Sequence, residues 1–131
     1  MNRIDFISTE HYNVFKRLVR QLTDPGAVGN EYFSALYVIA GNERVRDVFL
    51  PYIDLEAGRI RTATIIDNHS FEKPTLVLVK LVIHLYNNKE WVLPAELITL
   101  PELDYQLAMQ AITLCRDQQF DEIVIPTEEE T

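Results

Sequence analysis

A chain of 131 residues, 47% of them apolar, amounts to one domain and buries enough surface for a core without disulfides or a structural metal. Twenty acidic against 12 basic side chains give a net charge of −8. With this apolar content the charge excludes collagen-like, disulfide-rich and disordered classes.

The opening residues Met1-Asn2-Arg3-Ile4-Asp5-Phe6 carry charges where a secretory signal needs an apolar core, so no leader is expected. Ser8 has the chemistry of a helix N-cap, and Ile7 before it is placed to staple onto Tyr12. The helix that follows sets Phe15, Leu18, Val19 and Leu22 on one face and is expected to end near Thr23. Asp24-Pro25-Gly26 then reads as a turn, because proline presets one dihedral and glycine accepts the unusual next one. A second helix is predicted over residues 30–40, with Tyr32, Phe33, Leu36, Ile39 and Ala40 as its apolar face and Gly41 as its stop. Asn42 is placed to cap a short third helix with Val45, Val48 and Phe49 facing inward and Pro51 at its end.

The period then changes. Glu56-Ala57-Gly58 reads as a turn, and residues 60–66 are rich in β-branched side chains, which favour extended backbone. Such a segment could pair with Trp91-Val92-Leu93 or with residues 122–125. Ser70 is expected to open a fourth helix with Pro74 in its first turn. Residues 76–86 are apolar on nearly every side, the pattern of a central, surrounded helix, and Asn87-Asn88-Lys89 ends it. This run, broken by Lys80 and His84, is far shorter than the roughly 20 residues that cross a bilayer, so no membrane span is expected. Thr99-Leu100-Pro101-Glu102 has the form of a capping box, and the last helix is predicted to run to about Gln118 with Leu103, Leu107, Ala111 and Leu114 as its stripe. Met109, Ile112 and Cys115 widen that stripe. Residues 121–131 hold five acids and no base, and removing them leaves 15 acids against 12 bases. They read as a solvated acidic tail, flexible in the manner of charged chain ends.

The search for chemistry returns little. A zinc-binding helix would place two histidines four apart beside a glutamate, and no such pair exists among His11, His69 and His84. Glu10, His11 and His84 are the candidate metal ligands, and they would need tertiary folding to gather them. Cys115 is the only cysteine and behaves as a small hydrophobe on a helix, its lone thiol fitting a reducing cytoplasm. Four glycines, Gly26, Gly29, Gly41 and Gly58, cannot assemble a phosphate loop or a dinucleotide fingerprint, so no cofactor is expected. The carboxylate pairs Asp67 with Glu72 and Glu102 with Asp104 are explained by helix starts. No catalytic residue is assigned.

Basic side chains recur at Lys16, Arg17, Arg20, Arg44, Arg46, Arg59 and Arg61, as solvated faces with local ion pairs. The net acidity and the want of a basic recognition helix argue against direct nucleic-acid binding. Tyrosines and Trp91 have polar edges suited to a partly wet interface.

Several motifs together resemble a family of small uncharacterised proteins of Gram-positive bacteria and their prophages. They are Ser8-Thr9-Glu10-His11 before an aromatic-containing helix, Ala35-Leu36-Tyr37 leading to Gly41, Leu85-Tyr86-Asn87 at a helix end, and Leu100-Pro101-Glu102-Leu103-Asp104. The chain departs from that family at Val82-Ile83-His84, where Ala-Phe-Asn is usual. The resemblance implies a setting and supplies no catalytic residues.

The expected fold is mainly α: a single domain over residues 1–120, of about five helices around the fourth, with at most a small β element and an acidic tail over 121–131. The expected function is a noncatalytic protein–protein interaction module, plausible as a prophage product that self-associates in the cytoplasm. The alternatives are a small metal-dependent hydrolase built on Glu10, His11 and His84, and an acidic mimic of nucleic acid that inhibits a partner.

Overall fold

The computed structural model describes residues 6–117. The expected acidic tail and the candidate strand over 122–125 lie outside these residues. Helix α1 (Thr9–Val19) begins where expected: the Ser8 hydroxyl accepts the His11 backbone N–H at 3.0 Å. The aromatic packed on Tyr12 is Phe6, edge-on at 5.1 Å between ring centroids, one residue earlier than the staple position of Ile7. The helix ends short of Thr23, and Asp24 accepts the Gly26 N–H to close a 3₁₀ turn over Pro25–Ala27.

Helix α2 (Asn30–Gly41) ends at the glycine predicted to stop it, with Asn42 as its C-cap. Gly41 has no positive φ, and its value lies in its missing side chain. A Cβ there would collide with Leu107 Cδ1, lie 2.9 Å from Leu107 Cδ2 and lie 3.2 Å from His11 Nε2. The chain turns at Asn42, whose extended backbone ends α2 while its side chain accepts the Val45 N–H and caps α3 (Glu43–Phe49). Asn42 also donates to Asp104 at 3.1 Å, tying this corner to the last helix.

Strand β1 (Ile53–Asp54) pairs antiparallel with β2 (Arg59–Ile60), with Ile53 opposite Ile60. The turn at residues 56–58 is as expected, with Gly58 at φ +73°, but the strand partner is the segment just before it and not Trp91-Val92-Leu93. A nearby hairpin closes a shorter loop than a pairing thirty residues away, at lower entropic cost. The β-branched run also bends into a single helical turn, α4 (Ile65–Asn68), which buries Ile65.

Helix α5 (Lys73–Asn87) starts three residues after Ser70, with Glu72 at the cap position and Pro74 in the first turn. Asn88 closes it in the left-handed region at φ 65°, a conformation asparagine tolerates better than most residues. The predicted capping box at Thr99 is not formed, because α7 (Glu102–Asp117) begins two residues too late for it. The Thr99 hydroxyl instead donates back to the Glu96 carbonyl at 2.6 Å. The intervening turn α6 (Pro94–Leu97) has its own terminal contact, with the Leu93 N–H donating to the Glu96 carboxylate at 2.9 Å. Leu103 is exposed, so the inward stripe of α7 is Leu107, Ala108, Ala111 and Leu114.

The centre of the fold is α2, where α5 was expected. Residues 32–40 are all buried, and α2 packs against α1, α3, α5 and α7. Ser34, the one polar residue in that stretch, donates to the Glu31 carbonyl. On α5, Leu76, Lys80 and His84 recur at four-residue steps and are only half-buried, so this helix has an outer side. The described residues form a mainly α fold of seven helices, five of them seven residues or longer, around one continuous core with a single two-stranded sheet.

Candidate functional site

Glu10 and His11 are sequence neighbours that face opposite ways. His11 is 2% exposed. Its Nε2 donates to the Tyr37 carbonyl at 2.8 Å and its Nδ1 accepts the Ile7 N–H at 3.2 Å, so both ring nitrogens are engaged and the imidazole is neutral. Burial lowers its pKa to about 4, against the raising effect of the Tyr37 hydrogen bond, and the Arg46 charge lowers it further. Glu10 points outward to Arg46, 3.8 Å away, while Arg46 also donates to the Ala40 carbonyl at 3.0 Å. His84 donates from Nδ1 to the Glu90 carbonyl at 2.6 Å. Among the described residues no three His, Cys, Asp or Glu side chains gather where they could hold a metal ion. The structure therefore does not bring the Glu10, His11 and His84 set together, and His11 has no lone pair to offer a metal.

Several of the other polar residues singled out in the sequence have local partners. Glu72 pairs with Arg44, Glu102 accepts from Gln106, Asp104 accepts from Asn42, and Arg61 donates to the Pro51 carbonyl. Lys16 is buried, with its ammonium 5.8 Å from the centre of the Tyr12 ring. Cys115 is a half-buried free thiol.

What the sequence reading missed is the segment that joins α5 to α7. Lys80 and His84 stand one helical turn apart on the outer side of α5, and both reach across to it. The Lys80 ammonium donates to the Glu96 carboxylate at 2.8 Å, His84 holds the Glu90 carbonyl, and the other Glu96 oxygen accepts the Leu93 N–H. The Lys80 hydrogen bond, with the Leu93 amide behind it, holds the Glu96 carboxyl below the usual carboxylate range. The clamped segment presents large apolar side chains to solvent: Trp91 is 76% and Ile98 72% exposed and Leu93 is also exposed, with Leu103 exposed just beyond it in the first turn of α7. Of the six exposed large hydrophobic residues among those described, four lie within residues 91–103. Their signal in the sequence was a lysine and a histidine at four-residue spacing inside an apolar helix, two polar groups that need partners there.

Among the described residues, no helix is long and apolar enough to cross a membrane. No protein-family model, no curated protein and no solved structure matches the chain.

Proposed function

We infer that this chain is a noncatalytic interaction module that associates with a second copy of itself through the 91–103 segment. The observation that carries this reading is the concentration of exposed apolar side chains on a segment held by the Lys80–Glu96 and His84–Glu90 contacts. Exposed apolar surface costs about 25 cal/mol per Å² relative to its burial, so a cluster of this kind favours a covering partner. Tryptophan is prominent among residues that dominate interface energetics, and a segment already ordered loses less entropy on docking. The polar side chains described above are engaged in caps, clamps and ion pairs, which supports a binding role over a reactive one. The single half-buried thiol supports a reducing, cytoplasmic setting. A prophage origin would make the complex an accessory or inhibitor of host or phage machinery, and it rests on the motif resemblance alone.

Trp91 is the only tryptophan, so its emission reports on this surface directly. Sedimentation equilibrium should show a dimer at micromolar concentration, with the emission maximum moving to shorter wavelength as the dimer forms. Trp91→Ser and Ile98→Ser should each return the chain to a monomer without lowering its melting temperature. A monomer at all concentrations, with emission typical of a solvated indole throughout, would sink self-association.

A further inference from the structure

The 91–103 surface runs directly into the first turn of α7, and the outer side of that helix walls a groove of about 350 Å³. Phe6 and Ile7, from the segment before α1, form its other side. Tyr105 and Met109, both half-buried, supply the apolar lining on α7, and Gln110 and Thr113 line it nearer the end of the helix. Among the described residues, neither of these two polar side chains makes a hydrogen bond. Glu102 is the only charged residue in the lining, and its carboxylate accepts from Gln106. The groove therefore fits a neutral, largely apolar side chain. Leu103 stands two turns of α7 before Gln110 and on the same face, so the exposed segment and the groove form one continuous surface.

A stable interface between proteins engages about 20–30 residues a side, and the 91–103 segment offers 13. Association of two copies must therefore cover neighbouring surface as well. The groove is the apolar concavity that adjoins the segment, and Trp91 is the most exposed of the large apolar side chains among the described residues. An indole matches the lining: the Met109 thioether and the Phe6 and Tyr105 rings suit its flat apolar body, and the Gln110 amide and the Thr113 hydroxyl are acceptors for its N–H. Because segment and groove lie side by side on each copy, a two-fold axis lets both contacts form at once and closes the assembly as a dimer. We propose that, in the self-association on which this inference rests, each copy seats the other's Trp91 in its groove along α7.

Two full-length variants test the pairing by complementation. Gln110→Arg puts a charge in the groove and keeps Trp91, whereas Trp91→Ser removes the indole and keeps the groove. In sedimentation equilibrium each alone should dimerise about tenfold or more weakly than the parent chain, with its melting temperature unchanged. Mixed in equal amounts they should associate, because one of the two contacts survives in the mixed dimer. Trp91→Ser has no tryptophan, so emission from the mixture comes from the Gln110→Arg chain alone and should move to shorter wavelength as Trp91→Ser is added. Thr113→Arg should behave as Gln110→Arg does, and it keeps the test decisive if one groove variant loses its fold. If the parent chain dimerises and a folded groove variant dimerises as tightly, the proposal is overturned while self-association through residues 91–103 stands, and the groove has another occupant. A mixture whose emission stays that of a solvated indole overturns it in the same way. A parent chain that is monomeric at all concentrations overturns both.

Discussion

At the scale of single residues, the most informative side chain is His11, which the sequence offers as a metal ligand and the structure uses as a core strut. Its ring joins the 6–8 turn to α2 through two hydrogen bonds and packs edge-on against Tyr37 at 4.4 Å between centroids. The folded imidazole titrates near 4 against an ordinary value of 6.5, so between these values the unfolded chain binds a proton that the folded chain does not. Stability from this group is therefore complete above 6.5, declines as pH falls toward 4, and should drop by on the order of 3 kcal/mol in all. Urea denaturation across this window should show the decline, and His11→Gln should flatten it. Gly41 makes a second residue-scale point. Gly41→Ala gains about 1 kcal/mol of helix propensity but drives a methyl into the fully buried Leu107. Overpacking should win, with a net loss of about 1 to 2 kcal/mol by chemical denaturation.

Helix ends and clamps belong to the scale of elements. Ser8, Asp24 and Asn42 act as the sequence indicates, because a cap or turn is a contact between a side chain and a backbone amide two or three residues away. Thr99 fails because it depends on where α7 starts, and α7 starts at Glu102, two residues too late for it. The Lys80–Glu96 bond should be the main tie on this segment. Lys80→Met should raise amide hydrogen exchange over residues 88–101 while exchange in α2 stays slow. A uniform rise across the chain would mean that the pair supports the whole core. Because Glu96 titrates below its ordinary value, the clamp is intact at neutral pH and is lost only as acid protonates the carboxylate, at lower pH than the onset of the His11 effect.

For the whole molecule, the decisive arrangement is the burial of α2 by four neighbouring helices. Leu36 and Leu103 are both leucines on helices, and both were read as facing inward, yet one is fully buried and the other exposed. Leu36→Ala should cost about 2 to 5 kcal/mol, whereas Leu103→Ala should change stability by no more than about 0.5 kcal/mol. Equal losses in thermal or urea melts would refute the α2-centred packing. The charge is a property of the whole molecule too: self-association of a chain with net charge −8 should strengthen with added salt, as repulsion between copies is screened.

Helix content, the caps at Ser8 and Asn42, the turn at Asp24-Pro25-Gly26 and the turn before Gly58 were legible from the amino acids alone. Each depends on dihedral preferences and hydrogen bonds among residues only a few positions apart. Tertiary structure decided the rest: that α2 and not α5 is central, that β2 pairs with β1, that His11 is a strut, and that Trp91 and Ile98 remain in water. An apolar side chain has the same composition buried or exposed, and its place depends on which distant surface packs against it.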